Sequence, residues 1–328
     1  MGKYSNYLIG NNEHLINYKG EKFNILGQEC KKTFFEKTFN VKISCESYSS
    51  VINGEGSEKD KIDSLRSSSL QSLIIFSEVS KNKPIKIKLG DETMTFVKAY
   101  FEYRNKVLSR PSSIDVILQS DKNDLLFIES KFFEPYYETS TTPKEVIGIS
   151  YFYMDRIHKS TYWDTLCLKD KKELDALGIE YPDDYGINPK PLTKKYKIHS
   201  IDKTTGLVYS EGIKQCLAHI IGISNFRNPD GKCSDELKDF KARSFNFVTL
   251  VNNLPGFDES INGVNTRVEN YKTHINKVIK LLQAKPEVTE FVNLFETISY
   301  QDLYENNLTY FEGKDIIIDF YKLNKSKN

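Results

Sequence analysis

The chain of 328 residues predicts an α/β fold whose core elements run helix, three strands, helix, strand. Three observations carry that expectation. Ser112 to Lys131, SSIDVILQSDKNDLLFIESK, holds two short apolar runs around a polar turn, the composition of a buried β-hairpin. Ahead of it, residues 57 to 79 place Ile62, Leu65, Leu70, Leu73, Ile74 and Phe76 near helical spacing. Behind it, Glu211 to Ile223 reads as a compact helix ending near Gly222, and Ser244 to Asn252 reads as a buried strand.

Residues 1 to 50 mix short apolar groups with Lys, Asn and Ser and read as an irregular or β-containing lead-in to a main domain over 51 to 328. The glycines of Val51-Ile52-Asn53-Gly54-Glu55-Gly56 mark a loop. Ser57 then stands as N-cap of the first helix, with Asp60 at N3 in place of the usual Glu of a capping box. Pro84 to Leu89 and Thr95 to Tyr103 alternate as strands, and the second leads into the hairpin. Phe132 to about Ser210 is a long insertion dense in aromatics: Phe132, Phe133, Tyr136, Tyr137, Tyr151, Phe152, Tyr153, Tyr162 and Trp163. A satellite core is the first reading of that density. A DNA-facing surface on which bases stack beside Arg156, His158 and Lys159 is the second. Farther on, Asn265 to Ala284 has helical spacing, Phe291 to Tyr300 reads as a strand and Asp315 to Tyr321 as a last edge strand.

In a hairpin symmetric about Lys122, Asp115 sits across from Glu129 and Ser113 across from Lys131. Side chains alternate with period two, so Glu129 and Lys131 share a face and Asp115 joins them there. Two carboxylates and an ammonium converging at one end of an apolar strand pair suit a divalent metal with a lysine beside it. The plainer alternative is a surface hairpin carrying three solvated charges.

Ile114-Asp115 followed on the next strand by Glu129-Ser130-Lys131 resembles the active-site signature of the PD-(D/E)XK nucleases, with Ile114 in the place of the proline. The resemblance spans mainly 54 to 80, 112 to 137 and 211 to 252. It implies a restriction endonuclease-like core, a mixed central sheet flanked by helices in the order αβββαβ, here with an insertion at about 132 to 210 and a C-terminal elaboration. It also implies that Asp115, Glu129 and the Ser130 carbonyl hold Mg²⁺, one ion or two. Lys131 would orient and help deprotonate the attacking water, its pKa lowered beside the metal. Gly54-Glu55-Gly56-Ser57-Glu58 resembles a helix start in bacterial members that adds an acidic residue to the metal site, and Glu58 is the matching position. A purely structural Glu58, favoured by the macrodipole at a helix N-terminus, is the second reading, and Glu78 at the far end competes for the role. Gln215, four residues before His219 on one helix face, matches a glutamine that steadies the lysine or the water. For His219 itself, a buried ring held by an ordinary hydrogen bond is the first reading.

Composition narrows the function further. A net charge of +1 argues against a non-specific DNA coat protein. Local basic patches remain at 81–88, 190–197 and 238–243. Five scattered cysteines form no CxxC pair, which points to a reducing cytoplasm. No apolar run is long enough to span a bilayer, and the N-terminus lacks the apolar core of a signal peptide. Walker, GxGxxG, HExxH and GxSxG patterns are absent, which disfavours nucleotide hydrolysis, Rossmann redox chemistry, zinc proteolysis and the simplest serine hydrolysis. The expectation is a Mg²⁺-dependent endonuclease acting on double-stranded DNA, most like a restriction enzyme. A palindromic target would favour a homodimer. The alternatives are a nuclease of the same fold acting on RNA, branched or modified DNA, and a non-catalytic DNA-binding module.

Overall fold

A computed structural model describes residues 28–54, 62, 67–106, 111–136, 179–180, 197–198, 210–227, 242–254 and 267–325. Their architecture is α/β, a mixed and curled central sheet flanked by helices.

Two helices open it where an irregular or β-containing lead-in is expected: α1 (Gln28–Phe39) and α2 (Cys45–Ile52). Phe35 and Phe39, four apart on α1, are fully buried. Asn40 takes the left-handed conformation (φ 50°) that commonly ends a helix. Ser44 N-caps α2 by accepting the Ser47 N–H at 2.9 Å. Val51 and Ile52 are thus the end of a helix and not the start of a loop.

The next helix, α3 (Ser68–Phe76), is shorter than the apolar spacing predicts. Ser67 has an extended backbone (ψ 121°) and its hydroxyl accepts the Leu70 N–H at 3.1 Å, so a helix begins there and cannot run through from Ser57. Ser57 and Asp60 lie outside the described residues.

Four strands follow in antiparallel succession: β1 (Ile85–Leu89), β2 (Glu92–Lys106), β3 (Pro111–Ser120) and β4 (Asp124–Lys131). On β1 the pattern is strict, with Ile85, Ile87 and Leu89 buried while Lys86 and Lys88 face out. The basic run at 81–88 is therefore the solvated face of an edge strand, and Lys83 is tied to Glu78 at 2.7 Å. The β3–β4 pairing matches Val116 with Ile128 and Gln119 with Leu125, the register that symmetry about Lys122 requires. Its turn is locked by Ser120 Oγ, which accepts the Lys122 and Asp124 N–H groups at 3.2 and 2.9 Å.

After β4 come a 3₁₀ turn (Glu134–Tyr136) and two short paired strands, β5 (Ile179–Glu180) and β6 (Lys197–Ile198). Phe132, Phe133 and Tyr136, at the start of the expected insertion, are fully buried in the main core. Phe132 meets Tyr321 edge-on at 5.2 Å, and the Tyr136 hydroxyl donates to the Asn252 carbonyl at 3.1 Å. These three are core residues. Tyr137 and the aromatics beyond it fall outside the described residues.

Helix α4 (Ser210–Arg227) passes straight through Gly222, where an end is expected, and crosses to the parallel strand β7 (Ser244–Val251). β7 pairs with β4 from Asp124↔Ser244 to Lys131↔Val251. Both strands are buried along almost their whole length, as parallel strands covered on both faces are. Arg243 grips the Asp124 carboxylate with two bonds of 2.8 and 3.0 Å at the start of this pairing.

In α5 (Arg267–Gln283) the expected stripe of Val268, Tyr271, Ile275, Val278, Ile279 and Leu282 is buried throughout. A short helix, α6 (Pro286–Thr289), precedes β8 (Asn293–Leu294) and β9 (Ile298–Ser299), two separate additions to the β7 edge where one strand is expected. The capping box of Ser299 and Asp302 starts α7 (Tyr300–Glu305). Asp315–Phe320 is a helix, α8, and not an edge strand. The β-branched run Ile316–Ile318 favours a strand locally, but packing decides: Phe320 and Tyr321 close on Phe39 of α1 at 5.4 and 6.1 Å.

A buried acidic centre at the end of the hairpin

The β3–β4 ladder ends at Val116↔Ile128, and one step further Asp115 faces Glu129. Here a side chain takes over from the backbone. Asp115 Oδ2 accepts the Ser130 N–H at 2.6 Å. The Lys131 carbonyl accepts the Asn252 N–H at 2.9 Å across to β7, so by strand alternation the N–H and C=O of Ser130 turn toward β3. The Ser130 hydroxyl shares a 2.7 Å hydrogen bond with the Tyr300 hydroxyl beneath the strand.

Glu129 and Lys131 are each 4 % exposed and bonded to one another, Nζ donating to Oε1 at 2.5 Å. The other carboxylate oxygen, Oε2, stands 2.8 Å from Nε2 of His219, delivered by α4. That nitrogen is within contact distance but makes no aligned hydrogen bond, so the approach lies off the N–H direction. The opposite ring nitrogen, Nδ1, is 2.6 Å from the Ser112 hydroxyl.

Two further carboxylates close the site. Glu102 on β2 accepts from Ser69 of α3 at 2.9 Å, and a side chain at Gly54 would press to 3.0 Å from its Oε2. Glu102 is held at a positive φ of 47°, a conformation sparse for a non-glycine residue. Glu134 accepts the Ser68 hydroxyl at 2.9 Å and the Phe132 N–H at 2.8 Å.

These neighbours set the charges. Burial raises the Glu129 carboxyl, but Lys131 and His219 outweigh it and hold the pKa at about 2. Asp115 goes the other way. Burial, then Glu129, then Glu102 push its carboxyl well above the usual range, against the pull of Lys131 and the Ser130 N–H. Burial lowers Lys131, yet Glu129, Glu134, Tyr271 and Asp115 more than reverse this and raise the ammonium well above its ordinary value. The resemblance implies a Lys131 lowered beside a bound metal; with the chain's own partners alone, the ammonium is held protonated.

Of the predicted site residues, the structure brings together Asp115, Glu129, Ser130 and Lys131. Gln215 is half-buried on α4, and none of the described hydrogen bonds at the site involves it. Its helix-mate His219 makes the contact to Glu129 instead. Glu58 lies outside the described residues. Its competitor Glu78 sits in a separate cluster, bound to Lys83 at 2.7 Å, Lys314 at 2.8 Å and the Lys42 N–H at 3.0 Å. Glu102, Glu134 and Ser112 were not found by sequence reasoning. One signal was available for Glu102, a lone acid in the apolar strand TFVKAYFEY.

Among the described residues no group of three or more His, Cys, Asp and Glu side chains is arranged to hold a metal ion. The described grooves, of about 370 and 640 Å³, are lined by other residues. No described helix is long and apolar enough to cross a membrane.

Fold and site together define an α/β protein with a mixed sheet and a buried carboxylate–lysine centre at the end of its central hairpin. No family model, curated protein or solved structure matches the chain.

Proposed function

We propose that the protein is a metal-dependent endonuclease with a restriction endonuclease-like core, hydrolysing phosphodiester bonds in double-stranded DNA. One observation carries the reading. Asp115 faces Glu129 across the hairpin end, and Lys131 is bonded to that same Glu129. The donor chemistry fits Mg²⁺, a hard ion satisfied by oxygen ligands. Asp115, Glu129 and the Ser130 carbonyl would hold it, and a cation there would offset the burial and the repulsion that keep Asp115 high. When bound, Mg²⁺ would polarise the scissile phosphate and lower the pKa of a water.

The chain's own residues have distinct tasks. Lys131 stays protonated and places a positive charge beside the reacting phosphate, stabilising the charge that develops there. Its release of Glu129 Oε1 frees one oxygen, while Oε2 remains against His219. Asp115, tied to the Ser130 N–H, keeps the end of β3 against β4. The expected role of Lys131 as a base is not part of this proposal.

A second reading, a module of the same fold that binds DNA without cutting, is favoured by the engagement of both Glu129 oxygens. Incubation of the purified chain with long duplex DNA and Mg²⁺ separates the two. Discrete fragments that vanish with EDTA and in Asp115→Ala, Glu129→Ala and Lys131→Ala mark a site-specific nuclease, and a metal-dependent smear marks a non-specific one. Absence of cutting on duplex, single-stranded or methylated DNA and on RNA, with DNA still bound, selects the binding module.

A further inference from the structure

Ser112 opens the hairpin three residues before Asp115, and His219 comes from a helix more than a hundred residues later. They meet behind Glu129. The ring is 2 % exposed, so its nitrogens have few partners to choose from. At 2.6 Å the Ser112 hydroxyl and Nδ1 share one proton. If the ring carried it on Nδ1, the bare Nε2 lone pair would point into the region of a carboxylate oxygen 2.8 Å away. Two acceptors at that distance repel. In the neutral ring the hydroxyl therefore donates to Nδ1, and the ring proton sits on Nε2, on the Glu129 side.

We infer that His219 is a positioning residue that holds one oxygen of Glu129 by the close approach of its Nε2 edge, 2.8 Å away and off the N–H axis, with the Ser112 hydroxyl setting the ring tautomer, so that the second oxygen is presented to Lys131 or to a bound divalent cation. The inference rests on the metal-dependent reading for its consequence, but the tie between His219 and Glu129 does not. Outer partners of this kind orient a ligand carboxylate and tune its affinity without touching the ion. The resemblance gives Gln215, one helical turn earlier, a role at the lysine or the water; the contact to Glu129 comes from His219.

A histidine that only fills space makes a different prediction. His219→Leu keeps much of the volume and removes the donor. His219→Gln keeps an amide N–H near the position of Nε2. Calorimetric titration of the full chain with Mn²⁺ reads the difference independently of cleavage. Positioning predicts about 10- to 100-fold weaker Mn²⁺ binding in His219→Leu, with recovery in His219→Gln. Ser112→Ala, which frees the tautomer, should weaken binding less than His219→Leu does. Equal Mn²⁺ affinity in wild type and a folded His219→Leu variant overturns the inference and leaves the metal reading intact.

A second arm needs no metal. Long-range ¹H–¹⁵N correlation on the metal-free chain should find the Nε2–H tautomer at His219, and an Nδ1–H ring overturns the inference. If wild type takes up no Mn²⁺, the metal reading fails, and this arm alone decides whether His219 is tied to Glu129.

Discussion

Asp115→Asn should stabilise the metal-free protein and, on the proposed reading, end cleavage. The Asp115 carboxylate accepts the Ser130 N–H at 2.6 Å, and an asparagine can offer its carbonyl oxygen to the same donor. Only the charge changes. Side chains directly opposite in an antiparallel pair stand about 5 Å apart at Cβ. Two carboxylates at that separation repel by roughly 3 kcal/mol at an effective dielectric constant of about 20. Lys131 cancels most of this, while the cost of burial and the repulsion from Glu102 persist. A net gain of about 1–2 kcal/mol is expected for the variant at neutral pH. The sign follows from linkage. A carboxyl whose pKa is raised by folding destabilises the native state when ionised. Wild type therefore gains stability as pH falls through the raised value toward the ordinary one of 3.8, and the variant lacks that contribution. Urea unfolding in EDTA at neutral and mildly acidic pH measures both quantities. A variant less stable than wild type at neutral pH, or one with the same pH slope, would refute the charge assignment.

Other perturbations test the surroundings. Lys131→Met strands the buried Glu129 and should cost about 3–5 kcal/mol in urea unfolding; adding Glu129→Gln should restore part of it, and additive losses would deny the coupling. Glu78 is held at about 2, where burial works upward and Lys314 and Lys83 pull down more strongly. Its stabilisation is present above the ordinary 4.5 and lost as pH falls toward 2, so Glu78→Gln should flatten the acid limb of a stability profile. The amplitude is about 1–2 kcal/mol after solvent screening, because burial also lowers the partner Lys314 and takes back part of the gain. Asn307 accepts the Lys86 N–H and donates to the Lys86 carbonyl at 2.7 and 2.6 Å, standing in for a neighbouring strand. Asn307→Ala should cost about 1–3 kcal/mol and speed hydrogen exchange at the Lys86 amide; unchanged exchange there would contradict that role.

The hairpin was legible because its determinants are local. Ser120, Asn123 and Asp124 form a turn whose hydrogen bonds set the centre, and the period of two then carries Asp115 to Glu129. The α5 stripe was legible for the same reason. Elements fixed by distant partners were not. The segment QECKKTFFEKTF has few apolar residues, and its helix rests on Phe39 meeting Phe320 and Tyr321 from the other end of the chain. Those contacts also turn Ile316–Ile318 from the strand its β-branched run suggests into a helix. In the site, Lys131 beside Glu129 follows from spacing alone, whereas a lone histidine carries no mark of its partner. His219 finds Glu129 because α4 packs across β2, β3 and β7, a matter of topology.

The chain leaves the site and returns to it at nearly the same place. After Lys131 the 3₁₀ turn Glu134–Tyr136 anchors one end, through Glu134 on Ser68 and Tyr136 on Asn252. The next long described element, Ser210–Arg227, carries His219 back to Glu129. The described elements on either side are thus both tied to the buried carboxylate–lysine centre. The closure entropy of a connection between two such fixed ends rises only logarithmically with its length. The number of residues joining the two anchored elements could therefore change at little cost in stability, while the carboxylates and the lysine stay where they are.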